Sequence, residues 1–172
     1  MEQMILRDFD SESAQPIYVF DTGVISQLFR NYYPETFPSL WKKFNRYVLD
    51  GNIISVREVK REIERLTSFP EMTVWTEKNK HIFSEPDQKE FDFLAGLFQN
   101  PAARDLVNPQ NVYNGLPAAD PFVISKAYAT GGTVVTTEKL KPNARKIPNI
   151  CQEYSVPCLN LADFFKKEKW TF

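Results

Sequence analysis

Asp21, Glu62, Asp120 and Glu138 are the residues of this sequence whose types and positions point to chemistry. Asp21 directly follows the apolar run Ile17–Phe20, and Glu138 directly follows Thr133–Thr137. Asp120 stands before Pro121 at the head of a helical pattern, and Glu62 lies on the helical stretch after Asn52–Ser55. Carboxylates gathered at one place repel, and raise each other's pKa unless a cation is present. An all-oxygen donor set selects a hard cation, Mg2+ or Mn2+, and Mg2+ keeps waters that leave room for a phosphate. Such a site can activate a water and neutralise charge on a scissile phosphodiester, with one metal or two. Thr22, Thr136 and Thr137 are placed to orient carboxylates or waters, or to serve as ordinary turn and strand threonines.

Each acid also has an ordinary structural reading. Asp21 suits the N-cap of a helix over Thr22–Arg30, and Asp before Pro121 is a frequent helix start. Glu138 reads as a loop or helix-start acid, and Glu62 as a solvated partner of a nearby Arg. Two helical wheels tip the balance. Val56, Val59, Ile63 and Leu66 form an apolar stripe. Glu62 borders that stripe beside Val59 and Leu66, while Glu58 and Glu64 point further towards solvent. Asp120, Ile124, Ala127 and Gly131 share one side of the next wheel, which puts the carboxylate at the head of an inward stripe.

Other chemistries have little material. With 1 His and 2 Cys in 172 residues, a thiolate or histidine zinc site is excluded, and Ser-His or Cys-His catalysis is poorly supplied. Cys151 and Cys158 read as reduced and partly buried, and His81 as a surface residue. A net charge of −1 argues against a chain that is basic throughout, yet leaves room for basic patches beside an acidic site. Such patches occur at Lys42, Lys43 and Arg46, at Arg57, Lys60, Arg61 and Arg65, and at Lys139, Lys141, Arg145 and Lys146. Taken singly, each reads as a solvated helix face or loop. The 14 Phe read first as core filling and second as base-stacking surface.

The elements that must position the acids alternate. Apolar runs at Ile17–Phe20, Asn52–Ser55, Thr133–Thr137 and Pro157–Leu161 are each followed by a helical pattern or, after the third, by the acid Glu138. Continuous apolar strands alternating with helices predict an α/β fold, doubly wound, with a mainly parallel sheet buried on both faces. In such sheets the residues just beyond the strands' carboxyl ends build the site. Ser68–Ala119 has no clear strand; helices are expected near Glu71–Ile82, Asp87–Gln99 and Ala102–Val107, broken by prolines. Residues 68–119 therefore read as a helical elaboration of one domain over residues 17–172, after a short lead-in over residues 1–16. No apolar run approaches the roughly 20 residues of a membrane span, and the acidic, polar start is unlike a secretory signal; a cytoplasmic protein is expected.

The series YVFDTG, then V-x-x-V-x-x-E-I, then AADPFVISKA, then GTVVTTEK resembles the PIN-domain superfamily, closest to prokaryotic PIN-like proteins related to VapC-type toxins. The resemblance runs from about Tyr18 to Trp170. It implies that the family's first three acidic positions are Asp21, Glu62 and Asp120, and it sets Glu138 where relatives usually carry Asp. Gly23 stands where many relatives have Ser or Asn. The resemblance further implies a Mg2+- or Mn2+-dependent endoribonuclease acting on RNA, a cognate antitoxin partner and a homodimer. The stretch 68–119, longer than in simple relatives, would then be a substrate clamp, a dimer surface or an antitoxin dock. A phosphatase of the haloacid dehalogenase kind would want a second Asp at position 23, which is Gly, and a receiver domain would want an acid pair beside Asp21. A catalytically silent PIN-like module that binds RNA or protein is the remaining alternative.

Overall fold

The computed structural model describes residues 15–66, 68–107, 114–115 and 118–172; residues 1–14 of the expected lead-in lie outside the described residues. Five parallel strands form one sheet in the order β3-β2-β1-β4-β5. They are β1 (Tyr18–Phe20), β2 (Ile53–Val56), β3 (Phe83–Ser84), β4 (Thr133–Val135) and β5 (Cys158–Leu159). The expected α/β doubly wound parallel sheet is thus the observed one. Its central strands read as unbroken apolar runs because both faces are covered, and Tyr18, Val19 and Phe20 are all fully buried.

From β1 the chain passes through α1 (Thr22–Asn31) and α2 (Pro38–Leu49) to β2, then through α3 (Arg57–Arg65) and α4 (Pro70–Lys78) to β3. It returns through α5 (Gln88–Leu97), α6 (Pro101–Arg104) and α7 (Asp120–Thr130) to β4, beside β1 on the other side. From β4 it continues through α8 (Ile147–Glu153) to β5 and ends in α9 (Leu161–Lys167). The chain therefore steps outward from β1 in both directions, and the reversal lies between β1 and β4. That is the switch point at which open parallel sheets form their crevices.

Much of the Phe content is core. Phe20 packs against Phe44 at 5.6 Å and Phe164 at 5.3 Å between ring centres, and Phe164 meets Tyr18 edge-on at 4.8 Å. Helix α2 shows its inward face as Leu40, Trp41, Phe44 and Val48, with Pro38 opening it. Helix α7 ends at Gly131, whose φ of 65° is the left-handed stop that Gly allows.

Two sequence expectations need correction here. The stretch 68–119 is not purely helical: Phe83–Ser84 pairs with Ser55 and Val56 and adds a fifth strand at the sheet edge. Two residues are too few for a strand period to show, and a 3-10 turn at Lys80–Ile82 leads into them. The inner stripe of α3 also differs. Leu66 is exposed and closes the helix, whereas Glu58, expected at solvent, is buried and paired with Arg57 at 2.8 Å. The Arg57 guanidinium also reaches Glu85 just beyond β3, and so draws the start of α3 against the sheet.

Candidate functional site

Asp21 sits immediately past β1, where its backbone N–H still bonds the Val135 carbonyl of β4 at 3.0 Å. This sheet bond carries the acid into the gap between the two strands that flank the switch point. Its Oδ1 accepts from the Thr22 N–H at 2.6 Å, and its Oδ2 from the Thr136 hydroxyl at 3.0 Å. Only 6% of the residue is exposed, and burial lifts its pKa to about 6. Glu62 and Glu138 push it the same way, while the two hydrogen bonds hold it down. Asp21 does cap α1, so the ordinary reading holds at a residue for which the functional one was also drawn.

At Asp120 they separate. The helix starts one residue earlier than the sequence suggests: Ala119 is the N-cap, and no side-chain capping bond is made. Among the described residues no hydrogen bond reaches the Asp120 carboxylate. Burial, followed by the carboxylates of Asp21, Glu138 and Glu62, raises its pKa to about 8, with Lys146 the one opposing charge. An acid that is neither a cap nor hydrogen-bonded by the described residues, and half-buried beside three others, is costly as an anion.

Glu62 joins the elements. Its Oε2 accepts from the Thr22 hydroxyl and its Oε1 from the Ala119 N–H at 3.0 Å, so one carboxylate from α3 ties the start of α1 to the start of α7. Burial raises its pKa against these two bonds. The helix-face reading of Glu62 as an inward acid agrees with this placement.

Glu138 has other partners. Its Oε2 accepts from the Ile147 N–H at the start of α8 at 2.7 Å, and its Oε1 meets Lys146 Nζ at 3.0 Å. Its own N–H bonds the Thr136 hydroxyl at 3.2 Å. The helix-start role weighed for it is real, but for a helix nine positions further on rather than its own.

The four acids therefore share one edge and feel one another's charge. Repulsion acts over longer distances than ligation, and among the described residues no three Asp, Glu, His or Cys side chains are gathered around a point as a metal would need. The donor set nonetheless fits a hard divalent ion: all-oxygen, strongly acidic, partly desolvated, with Asp120 lacking a partner among the described residues. Asp120 presents its oxygens most directly; Asp21, Glu62 and Glu138 would have to share theirs with existing hydrogen bonds.

Spacing alone had no means of showing Thr136, which is fully buried and holds Asp21 and the Glu138 backbone with one hydroxyl. Replacing it with the similarly shaped Val should leave Asp21 Oδ2 short of a donor. We expect Thr136→Val to cost about 1–3 kcal/mol in urea unfolding and to weaken Mn2+ binding near pH 6.5, as the Asp21 pKa moves further up. An unchanged midpoint and affinity would show that the hydroxyl does not support the acid.

Gly23 also has a local reason. A Cβ there would stand 2.5 Å from Thr137 Oγ1, so the turn after Asp21 brings the Thr137 side chain into space that residue 23 leaves empty. Of the basic clusters, Lys60 is taken up between Glu64 and Glu77, Arg46 pairs with Asp50, and Arg145 meets Asp105. His81 is exposed as expected, and both cysteines are free, Cys151 buried and Cys158 half-buried. Among the described residues no helix is long and apolar enough to cross a membrane.

Residues 18–172 match the sequence profile of a family described as a domain of unknown function, DUF4411. No curated protein sequence matches the chain significantly. Among solved structures, similarity is found to the crystal structure of VapBC2 from Rickettsia felis bound to a DNA fragment from their promoter. The two share 13% identity over 84% of this chain and 98% of that one, with a TM-score of 0.46, too slight a likeness to bear on function.

Proposed function

We propose that this chain, which belongs to the DUF4411 family, is a Mg2+- or Mn2+-dependent nuclease that hydrolyses RNA phosphodiesters at the β1–β4 switch point. The observation that carries the reading is Asp120, half-buried beside Asp21, Glu62 and Glu138 and given no hydrogen bond by the described residues. Asp21, Glu62 and Asp120 would hold the ion, with Glu138 the outermost of the four. When bound, a hard divalent ion supplies Lewis-acid stabilisation of phosphoryl charge and a more acidic water.

The chain's own residues do the rest. Thr136 and Thr22 fix the orientations of Asp21 and Glu62, so the acids are held in place before substrate arrives. Lys139, exposed next to Glu138, and Lys146 stand on the same edge, where the RNA backbone would lie. The likeness of the segments around Asp21 and Asp120 to PIN-type toxins supports an endoribonuclease with a cognate antitoxin and a homodimeric form. The second reading, a silent module that binds RNA without cutting it, draws on the existing engagement of Glu62 and Glu138.

Incubation of wild type with a mixed single-stranded RNA should give 5′- or 3′-phosphorylated fragments with Mn2+ and none with EDTA. Cleavage that persists in EDTA would remove the metal from the mechanism. Tight binding without cleavage in Mn2+ would select the silent module.

A further inference from the structure

Resting on the nuclease reading, we propose that Lys146 is the site's phosphodiester contact and that Glu138 positions it, rather than binding the metal. The Glu138 carboxylate is used on both sides. One oxygen takes the Ile147 N–H at 2.7 Å and the other the Lys146 ammonium at 3.0 Å. Residue 146 immediately precedes the helix that Glu138 caps, so the same carboxylate holds the Ile147 N–H and the head group of the lysine before it.

Its placement is what matters. Among the described residues Lys146 is a cation whose charge opposes the acids at Asp120, and Asp120 in turn acts on it. Its side chain is 53% exposed, so it is open to a ligand, whereas Lys60 and Arg57 are each held between two acids. An exposed ammonium beside a cluster of acids repels a second cation weakly and attracts a polyanion that must lie against those acids. Without it, the acidic edge would turn away the RNA backbone. A neutral Glu138–Lys146 pair therefore leaves Asp21, Asp120 and Glu62 to the ion, and gives the substrate phosphate a fixed point of positive charge.

Two titrations test this with no reliance on turnover. Mn2+ affinity is read by calorimetry on wild type, Lys146→Gln, Glu138→Gln and the double variant. Removing the lysine should tighten Mn2+ several-fold, removing the glutamate should weaken it several-fold, and the double variant should return to within about threefold of wild type. A double variant that binds Mn2+ more than tenfold weaker would make Glu138 a ligand and overturn the assignment. Binding of a twelve-nucleotide single-stranded RNA is read in Ca2+, across salt concentrations. Lys146→Gln should bind about tenfold more weakly, with the salt slope reduced by about 0.7, while Lys146→Arg keeps both near wild type. An unchanged slope in Lys146→Gln would overturn the phosphate contact. Wild type that binds no Mn2+ would overturn the metal reading itself, and is distinct from wild type that binds Mn2+ normally while the lysine variant behaves like it.

Discussion

Asp120→Asn is expected to slow metal-dependent cleavage by orders of magnitude and, in the same protein, to raise the melting temperature of the metal-free form at pH 8. The two effects share one cause. The Asp120 carboxylate is half-buried with the charges of Asp21, Glu138 and Glu62 acting on it, and its pKa is raised to about 8 because the folded protein disfavours its charge. Without a metal, ionising it costs stability; under the proposed reading, the same charge would serve as a ligand when a metal is present. Metal ions contribute several kcal/mol of charge stabilisation and each factor of ten in rate is about 1.4 kcal/mol, so the loss of cleavage should be roughly 100-fold to 1000-fold.

The gain in stability follows from linkage. The folded pKa lies above the unfolded value, so the folded state holds the proton more tightly, and its advantage declines as pH rises from about 4 to about 8. Asn carries no charge at any pH and is spared that decline. A gain of roughly 1–3 kcal/mol at pH 8 is expected, about 5 °C in melting temperature, and almost none at pH 4. The carboxylate keeps some contact with water, which holds the gain below the full value of the shift. A variant less stable than wild type at pH 8 would mean that Asp120 is a structural acid. Far-UV circular dichroism melts of the two metal-free proteins decide between these.

The strands themselves, though not their order, were legible wherever burial on both faces left an unbroken apolar run, as at Tyr18–Phe20 and Thr133–Val135. No strand was legible at Phe83–Ser84, where the strand is shorter than any periodicity and, among the described residues, pairs with β2 alone. Among the acids, Asp21 and Asp120 could be found because strand ends and helix heads are marked by composition. Glu62 could be found because helical spacing fixes its direction. What set Glu138 apart was a partner nine residues away at the start of α8, and a contact of that kind leaves no trace in local pattern. The same holds for Glu58: a wheel places it towards water, but Arg57 folds over it and reaches on to Glu85. Local rules assign faces; which charge is finally covered is decided by the element that packs next to it.

Mn2+ should stabilise the protein strongly at pH 8 and scarcely at all at pH 5. At pH 5 an ion held by Asp21 and Asp120 would have to displace protons from Asp21, its pKa raised to about 6, and from Asp120, raised to about 8. Ligands must be deprotonated to bind, so affinity climbs with pH and levels off once both acids are ionised, a little above pH 8. The metal-free protein moves the opposite way. Both carboxyl groups have folded pKa values above their unfolded ones, so its stability falls from pH 4, through pH 6 as Asp21 ionises, and on to pH 8 as Asp120 does. The two curves diverge, and their separation is the Mn2+ effect. At an ion concentration about 100 times its dissociation constant the gain is about 2.7 kcal/mol, or roughly 5–10 °C for a domain of this size. Binding should also release protons, between one and two per Mn2+ at pH 6, measurable as a buffer-dependent heat in calorimetry. A Mn2+ shift of equal size at pH 5 and pH 8 would place the ion elsewhere on the molecule. In Asp21→Asn/Asp120→Asn the shift should vanish at both, because the two groups that carry the pH dependence are also the two that would hold the ion.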